Sequence, residues 1–340
     1  MKNAIRGWRG ALLLALLSGS ARPGAAQAGP VAAPPDSANL VLVTIDGLRW
    51  QELFDGADAR LLRRDPAGKV LRRRYGQATA PLRRRALFPF LWDSIGRCGQ
   101  LLGNRKLGNY QDVANGRRLS YPGYNELLTG AADDQRIRNN RNLYNPNETL
   151  LEVVNRRPDF AGRVAAFTSW EAFPFILNQP RSGLPVNAGL NGHERPDSLT
   201  YQAARQYLVR THPRVLYLSF GNTDTFAHGG HYGDYLAAAH VVDAYLAELW
   251  TVLQALPQYR GRGRFWTLHG REFRASAHTW VAAVGPGIPA AGEVYVPGQQ
   301  YQARLAAQLA RCLGVTYPAG PAPVVPTQVA TGLLGPGAGE

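Results

Sequence analysis

The sequence predicts an α/β fold with a central, mostly parallel mixed sheet that helices flank. Short apolar runs, typical of buried parallel strands, recur along the chain, and segments with helical apolar spacing lie between them. Such an alternation of strands and helices is typical of α/β proteins. The chain has 340 residues, of which 45% are apolar, enough for a sizeable core. The predicted strands are Leu40–Ile45, Gln100–Asn104, Val164–Thr168, Val215–Phe220 and Thr279–Val284.

Helices are predicted between and after these strands. The segment Asp55–Arg85 is polar and basic, and we expect an irregular insertion there. Loops are predicted over Asn139–Asn147, which is rich in Asn, and over Arg181–Gly192. The predicted helices are Arg49–Phe54, Phe88–Arg97, Leu127–Thr129, Thr149–Asn155, Trp170–Leu177, Ser198–Thr211, Tyr235–Leu256 and Tyr301–Leu313.

The N-terminus has the pattern of a secretory signal peptide. Lys2, Arg6 and Arg9 precede the short apolar run Ala11–Leu17, and an A-x-A cleavage motif ends at Ala28. We therefore expect residues 1–28 to be removed and the protein to be exported, to the periplasm or the medium. A linker over 29–38, one domain over 39–316 and a tail rich in Pro and Gly over 317–340 are predicted to follow. No later run looks long enough to span a membrane.

The chain is strongly basic. Its formal charge is +14, and loss of the four basic residues of the signal segment would leave +10. Much of this charge lies in Arg60–Arg85. It could be an ordinary solvated surface or a field that attracts anionic substrates; no nucleic-acid recognition motif accompanies it.

The two cysteines, Cys98 and Cys312, allow two interpretations. In an exported protein they could pair, or each could be a small buried apolar residue. They are too few for a cysteine-based zinc site.

Asp46 is the first candidate site residue. It follows the apolar run Val41–Ile45 and precedes Gly47. Open α/β sheets place their chemistry at the carboxyl ends of strands, although an Asp there is also a common helix cap or turn residue.

Ser120 is the second candidate. It stands before Pro122-Gly123, which suggests a turn, and before a helix that should end at Gly130. A hydroxyl at a helix N-terminus lies near free N–H groups that favour an anionic substrate. An ordinary Ser cap is the alternative.

Asp224 and His228 form the third candidate group. They are four residues apart after the predicted strand Val215–Phe220, so one helical turn would place both on one face. A carboxylate and an imidazole so placed suit Zn²⁺, although surface Asp–His pairs are common. His269 is a further candidate ligand, and His278 a weaker one.

These segments resemble the alkaline phosphatase superfamily, in its exported phosphodiesterase-like and nucleotide-pyrophosphatase-like branch. The resemblance runs from about Leu40 to Leu313, with the motifs in the family's order. The similar segments are VTIDG, SYPGYNELLTG, NPNETLLEVV, VAAFTSWEAFPFILN, TDTFAHGGHYGDY and WTLHGREF.

The resemblance implies a large α/β sandwich that holds two divalent metal ions, zinc being the expected one. Asp46 and Ser120 would bind the metal that activates the nucleophile, Ser120. Asp224, His228 and His269 would bind the other metal. Two such cations stabilise the entering and leaving oxygens of an in-line displacement.

One family segment, Asp-His-Gly-Arg, is not found. Under the preferred alignment, in which Trp266 and His269 match the family's later W-x-x-H-G motif, a strand and a metal loop are missing between about Tyr259 and Phe265. Under the other, Thr267–Arg271 is that segment with Leu268 in place of Asp; His269 then belongs to the nucleophile-side metal, and His278 is the later ligand. Either way that metal lacks a ligand, and loss of a central strand would leave a neighbouring edge unpaired.

The sequence therefore predicts a metal-dependent hydrolase of small phosphoric esters, monoester or diester, with Ser120 as nucleophile. The alternative is a catalytically inactive relative that binds an anionic ligand. A sulfatase is disfavoured, because Tyr124 stands where a sulfatase motif has Arg.

Overall fold

The computed structural model describes residues 38–189, 193–270 and 277–317, without the side chains of residues 268–270. The predicted signal peptide, and nearly all of the predicted linker and tail, lie outside these residues. The strands are β1 Asn39–Asp46, β2 Gly99–Leu102, β3 Tyr110–Asp112, β4 Val164–Thr168, β5 Val186–Asn187, β6 Val215–Phe220, β7 Gly263–Gly270, β8 Val281–Val284, β9 Gly292–Glu293 and β10 Gln299–Tyr301.

Helices connect most of these strands. A π-helical turn over Leu91–Ile95 and a 3₁₀ turn over Arg105–Leu107 supplement them. The α-helices are α1 Trp50–Asp55, α2 Ala59–Arg64, α3 Gly68–Tyr75, α4 Ala80–Leu87, α5 Gly96–Cys98, α6 Ser120–Thr129, α7 Leu150–Asn155, α8 Phe173–Ile176, α9 Gln179–Ser182, α10 Asp197–Thr211, α11 Asn222–His228, α12 Tyr232–Ala255 and α13 Arg304–Cys312.

The central sheet has eight strands in the order β5-β4-β6-β1-β7-β8-β2-β9. Strand β1 lies between β6 and β7 and is parallel to both. Strand β8 runs antiparallel to β7 and to β2. The sheet is thus mixed and mostly parallel, and helices cover it, so the predicted fold class is confirmed.

Strand β1 separates two apolar layers. All of its residues are buried, as expected of a central strand covered on both faces. Val41, Val43 and Ile45 belong to the cluster that includes α12, whereas Leu40 and Leu42 belong to the cluster that includes α6, α7 and α13. The alternation follows from the two-residue period of a strand.

The prediction of an irregular insertion over Asp55–Arg85 is wrong. Helices α2, α3 and α4 occupy this segment, and Leu62, Tyr75 and Leu87 pack into the core from them. Arginine is a good helix former, so a composition dominated by arginine did not exclude helices.

The expected unpaired edge at the centre of the sheet is not found in the described part of the chain. Strand β7 begins at Gly263 and pairs with β1 along its whole length, from Asn39 opposite Gly263 to Asp46 opposite Gly270. One strand therefore links α12 to β8 without interrupting the sheet.

The expectation that no later run is long enough to span a membrane is wrong for helix α12. By length and composition alone it is long and apolar enough to cross a membrane. Core helices share this property, and Leu236, Leu246, Leu249 and Leu253 of α12 are buried in the core cluster.

The two cysteines are not bonded to each other: Cys98 is exposed and Cys312 is buried. Burial raises the pKa of the Cys312 thiol to about 11. The interpretation as a small buried residue therefore holds for Cys312.

Candidate active site

Asp46 ends β1 at the carboxyl edge of the sheet and is buried. The N–H of Gly47 donates to its Oδ1 at 3.0 Å, and the hydroxyl of Tyr124 donates to its Oδ2 at 3.2 Å. Tyr124 Oη also lies 3.2 Å from Ser219 Oγ. These bonds fix the direction of the Asp46 carboxylate.

Gly47 lets a second carboxylate approach Asp46. Its φ is +72°, and a Cβ there would lie 2.5 Å from the Cα of Asp224. Any other residue would therefore meet the backbone of α11 in a conformation that L side chains rarely adopt. The Thr223 hydroxyl also donates to the main-chain oxygen of Asp46. The start of α11 is thus held against the end of β1.

The predicted helical turn that carries Asp224 and His228 is confirmed as α11. Asp224 Oδ2 and His228 Nε2 lie 3.4 Å apart. Because α11 follows β6, and β6 is the parallel neighbour of β1, this pair lies beside Asp46.

Asp197 holds the beginning of α11. This buried carboxylate accepts the N–H of Gly221 at 2.8 Å, the N–H of Asn222 at 3.1 Å and the Ser169 hydroxyl at 2.6 Å. It thereby pairs N–H groups that a helix start leaves without partners. Burial raises the pKa of Asp197 to about 6, against the effect of these bonds.

Ser120 is the first residue of α6, and Leu119 occupies the capping position. The alternative of an ordinary Ser cap is therefore wrong. The Pro122-Gly123 pair lies inside the helix rather than in a separate turn, while the predicted end at Gly130, with φ +77°, is confirmed. Ser120 is buried at the N-terminal end of α6, where the helix dipole is positive.

One cavity of about 210 Å³ brings Asp46, Ser120, Asp224 and His228 together. Sequence reasoning missed its other lining residues. Tyr124 lies inside the Ser120 motif and Asn140 in the Asn-rich loop, but neither position carries a pattern that marks a site. The residues missed are Tyr124, Asn140, Trp170, Glu194, Ser219, Phe220 and Gly221.

Glu194 adds a third carboxylate to the cavity. It accepts the hydroxyl of Thr225 at 2.8 Å, and a Cβ on Gly221 would lie 1.5 Å from Glu194 Oε1, so the carboxyl end packs against this glycine. Removal of the carboxyl from water, with the negative charges of Asp197 and Glu171, raises the pKa of Glu194 to about 7. No Lys or Arg is among the described residues that line the cavity.

His269 lies on the other side of β1 from α11. It is a residue of β7, and its register partner is Ile45, next to Asp46. Strands β6 and β7 flank β1 on opposite sides. The strand that carries His269 therefore flanks β1 on the side opposite the strand that leads into α11.

His278 is not one of the residues that line the cavity. Its backbone forms an isolated antiparallel β-bridge with that of Asp112. Burial and the charge of Arg105 lower the pKa of its imidazole.

The described donors fit part of a metal site. Asp224 Oδ2 and His228 Nε2 are of the types that zinc prefers and lie close enough to share one ion. Within the part of the chain that the structure describes, no group of three or more His, Cys, Asp or Glu residues could hold a metal ion. A catalytic zinc usually has three protein ligands, and the side chain of His269 lies outside the described atoms.

Comparison with known proteins gives a fold. The sequence matches no protein-family model and no curated protein. The structure is similar to that of the lipoteichoic acid synthase LtaP from Listeria monocytogenes, with a TM-score of 0.57 and 11% identity over 84% of this chain and 74% of that one. A 2-O GAG sulfatase gives a TM-score of 0.54 and 12% identity, over 84% of this chain and 72% of that one.

This chain covers nearly all of a third similar structure. It is murine ectonucleotide pyrophosphatase/phosphodiesterase 5, in an inactive form in complex with AMP. The TM-score is 0.53 and the identity 11%, over 82% of this chain and 96% of that one. This chain has the alkaline phosphatase fold. Its structural neighbours are proteins of the alkaline phosphatase superfamily, and at these identities the likeness concerns the fold.

Proposed function

We propose that this protein is a metal-dependent hydrolase of phosphoric esters with Ser120 as its nucleophile. One observation carries the proposal: Ser120, at the first position of α6, lines the same cavity as Asp46, Asp224 and His228. The names of the structural neighbours, a phosphodiesterase, a sulfatase and a lipoteichoic acid synthase, are compatible with ester chemistry.

The chain's own groups supply the nucleophile and an anion-binding helix end. Ser120 Oγ would form a bond to phosphorus while the bond from phosphorus to the leaving alcohol breaks; water would then release phosphate and restore the serine. The N-terminal end of α6 carries the positive end of the helix dipole, which favours an anionic group there. Within the first turn, the N–H of Tyr121 donates to Asn140 Oδ1 at 3.0 Å, Pro122 has no N–H, and the N–H of Gly123 donates to the main-chain oxygen of Leu119. The helix dipole, rather than a set of unpaired N–H groups, therefore supplies the attraction.

The metal requirement is part of the proposal. Asp224 and His228 would hold one divalent ion, which their donor types indicate to be zinc, and Asp46, Ser120 and His269 would contribute to a second. A bound metal would supply the positive charge that the described lining residues lack and would lower the pKa of the serine hydroxyl.

The decisive assay is hydrolysis of p-nitrophenyl phosphate and of bis(p-nitrophenyl) phosphate in the presence of Zn²⁺. Ser120→Ala should lower turnover by at least about 1,000-fold, as expected when a nucleophile is removed. Ser182→Ala is the matched control: both serines are 4% exposed, but Ser182 ends α9, away from the cavity. The ratio of the two rates would separate monoesterase from diesterase, and p-nitrophenyl sulfate tests the sulfatase alternative.

Zinc content, measured by mass spectrometry on purified protein, tests the metal sites without relying on activity. Asp224→Asn with His228→Ala should remove one equivalent of zinc. His269→Ala should remove a different equivalent if His269 belongs with Asp46. Folded protein that binds phosphate in the absence of zinc and shows no turnover would instead support the inactive, anion-binding alternative. Turnover that a chelator does not change would overturn the metal requirement.

Export is proposed from the sequence alone. The intact mass of protein recovered from the periplasm or the medium should match a chain that begins at Gly29. A mass that includes residues 1–28 would contradict the predicted cleavage.

A further inference from the structure

Helices α2 and α3 carry a strongly basic surface. Seven basic residues in these helices are exposed, and within the described residues six of them form no ion pair. The seventh, Arg60 of α2, pairs with Asp58, and Arg85 of the following helix α4 pairs with Asp93. We call the six exposed basic residues that form no ion pair the basic surface: Arg63, Arg64, Lys69, Arg72, Arg73 and Arg74.

The basic surface is held to the body of the protein. Leu62 and Tyr75 are buried in the core cluster, and Leu71 packs against it. The N–H of Gly233 donates to Asp65 Oδ2 at 2.7 Å, which ties the segment between α2 and α3 to the start of α12. The charges therefore face water from anchored helices rather than from a mobile tail.

The basic surface lies beside the candidate active site. The N–H of Asp58 donates to the hydroxyl of Tyr232 at 2.7 Å. Tyr232 and Gly233 begin α12, shortly after His228, which lines the cavity. Because no Lys or Arg is among the described lining residues, the positive charge of the basic surface lies outside the lining of the cavity.

The composition of the surface favours a lipid bilayer as its partner. Val70 is 66% exposed in the midst of the basic side chains of α3. A cluster of four to eight basic residues on a helix that also exposes an apolar side chain is typical of contact with anionic lipid headgroups. Proteins that hold nucleic acid without sequence preference stack bases on exposed aromatic rings, and the aromatic residue of α3, Tyr75, is buried.

We propose that the basic surface docks the protein on an anionic lipid bilayer, with the rim of the cavity close to the membrane. This inference does not depend on the proposed hydrolase activity, because docking requires only the exposed charges and Val70. It gives the Arg-rich insertion a role that an ordinary solvated surface would not have.

The test is sedimentation of the mature protein with vesicles of phosphatidylcholine that contain about 30 mol% phosphatidylglycerol, compared with phosphatidylcholine alone. Wild type should bind the anionic vesicles, and binding should fall as salt rises from about 0.1 to about 0.5 M, because salt screens exposed charges. Replacing Arg72, Arg73 and Arg74 together by Gln should lower the partition constant by roughly 100-fold. Val70→Ser should lower it several-fold with no change in charge.

The matched control replaces Arg163, Arg260 and Arg262 together by Gln. All three are exposed, and the change in net charge is the same. Arg163 directly precedes β4 and Arg262 directly precedes β7, so they lie at the amino ends of strands, opposite the edge that carries the cavity. This variant should retain most of the binding.

Three results would overturn the proposal. They are equal binding to neutral and anionic vesicles, an equal loss of vesicle binding in the two triple variants, and binding to duplex DNA but not to vesicles, with Val70→Ser having no effect on the DNA binding. The substituted side chains are exposed, so thermal unfolding should show that both triple variants fold like wild type.

Discussion

The close approach of α11 to β1 predicts a specific sensitivity at Gly47. Gly47→Ala would place a methyl group 2.5 Å from the Cα of Asp224, in a residue whose φ is +72°. Gly162 offers a matched comparison, because its φ is +70° and nothing lies within 4 Å of an added Cβ. Both substitutions impose the same backbone cost, and only the first imposes a steric one.

The two costs can be separated by magnitude. An L residue in the left-handed region costs about 1–2 kcal/mol, and loss of glycine's freedom in the unfolded chain returns about 0.4–1 kcal/mol. Gly162→Ala should therefore destabilise by about 1 kcal/mol. Gly47→Ala adds a clash with backbone, and overpacking typically costs a further 1–3 kcal/mol or so. At roughly 2 °C per kcal/mol for a chain of this size, the expected falls in Tm are about 2 °C and about 4–8 °C.

The assay combines thermal unfolding with turnover of p-nitrophenyl phosphate and zinc content. Gly47→Ala should reduce all three, because relief of the clash displaces Asp224 from Asp46. Gly162→Ala should change Tm only. Equal effects of the two substitutions on Tm, or unchanged turnover and zinc content in Gly47→Ala, would refute the argument that this glycine sets the spacing of the two carboxylates.

Three further predictions follow from buried polar groups and thiols. Tyr124→Phe removes the hydroxyl that donates to Asp46, so urea unfolding should show a loss of about 1.5–3 kcal/mol and turnover should fall. The pKa of Asp197 is raised to about 6, so the folded state binds more protons than the unfolded one between about pH 4 and pH 6. Its contribution to the free energy of unfolding should therefore decrease as pH rises through that range, and Asp197→Asn should abolish that component. A thiol reagent should label Cys98 alone in the native protein, and Cys312 as well after denaturation.

Each of these predictions has a control in the same chain. Tyr217→Phe removes a buried hydroxyl whose partner is the neutral Thr44 Oγ1 at 2.9 Å, so it should cost less and spare turnover. Asp243 is a buried carboxylate that accepts the N–H groups of Phe90 and Leu91 at 2.8 and 2.9 Å. Asp243→Asn should alter the pH dependence of stability but leave turnover unchanged. No labelling of native protein would show that the cysteines are paired.

The strands near the site could be predicted because each is a continuous apolar run. Val164–Thr168 and Val215–Phe220 have the predicted bounds, and β1 differs by one residue at each end. Strands β5 and β9 have only two residues each, too few for a pattern to appear. The helices of the basic insertion were missed because three well-spaced apolar residues decide their packing, and arginine dominates the composition.

The site could be predicted only where adjacent strands bring motifs together. Asp46 and Asp224 follow parallel neighbours, so their meeting required only the register of β1 and β6. Glu194 reaches the same cavity from the loop before α10, and its approach depends on the missing side chain of Gly221. A contact of that kind leaves no periodic signal. The side of β1 on which His269 lies likewise depended on strand order, which a single sequence does not determine.

The distribution of charge places a strict condition on the proposed function. Three carboxylates, those of Asp46, Asp224 and Glu194, line the cavity without a described Lys or Arg. A unit charge about 4 Å from a phosphate oxygen costs roughly 4 kcal/mol at an effective dielectric constant of about 20. Asp46 and Asp224 therefore oppose an anionic ester, and Glu194, whose pKa is raised to about 7, adds to this opposition as it ionises. The N-terminus of α6 offsets at most about 2 kcal/mol of this. Phosphate binding to this cavity therefore requires cations, and phosphate affinity should rise in step with zinc occupancy; phosphate that binds equally well to zinc-free protein would contradict both the assigned cavity and the proposed chemistry.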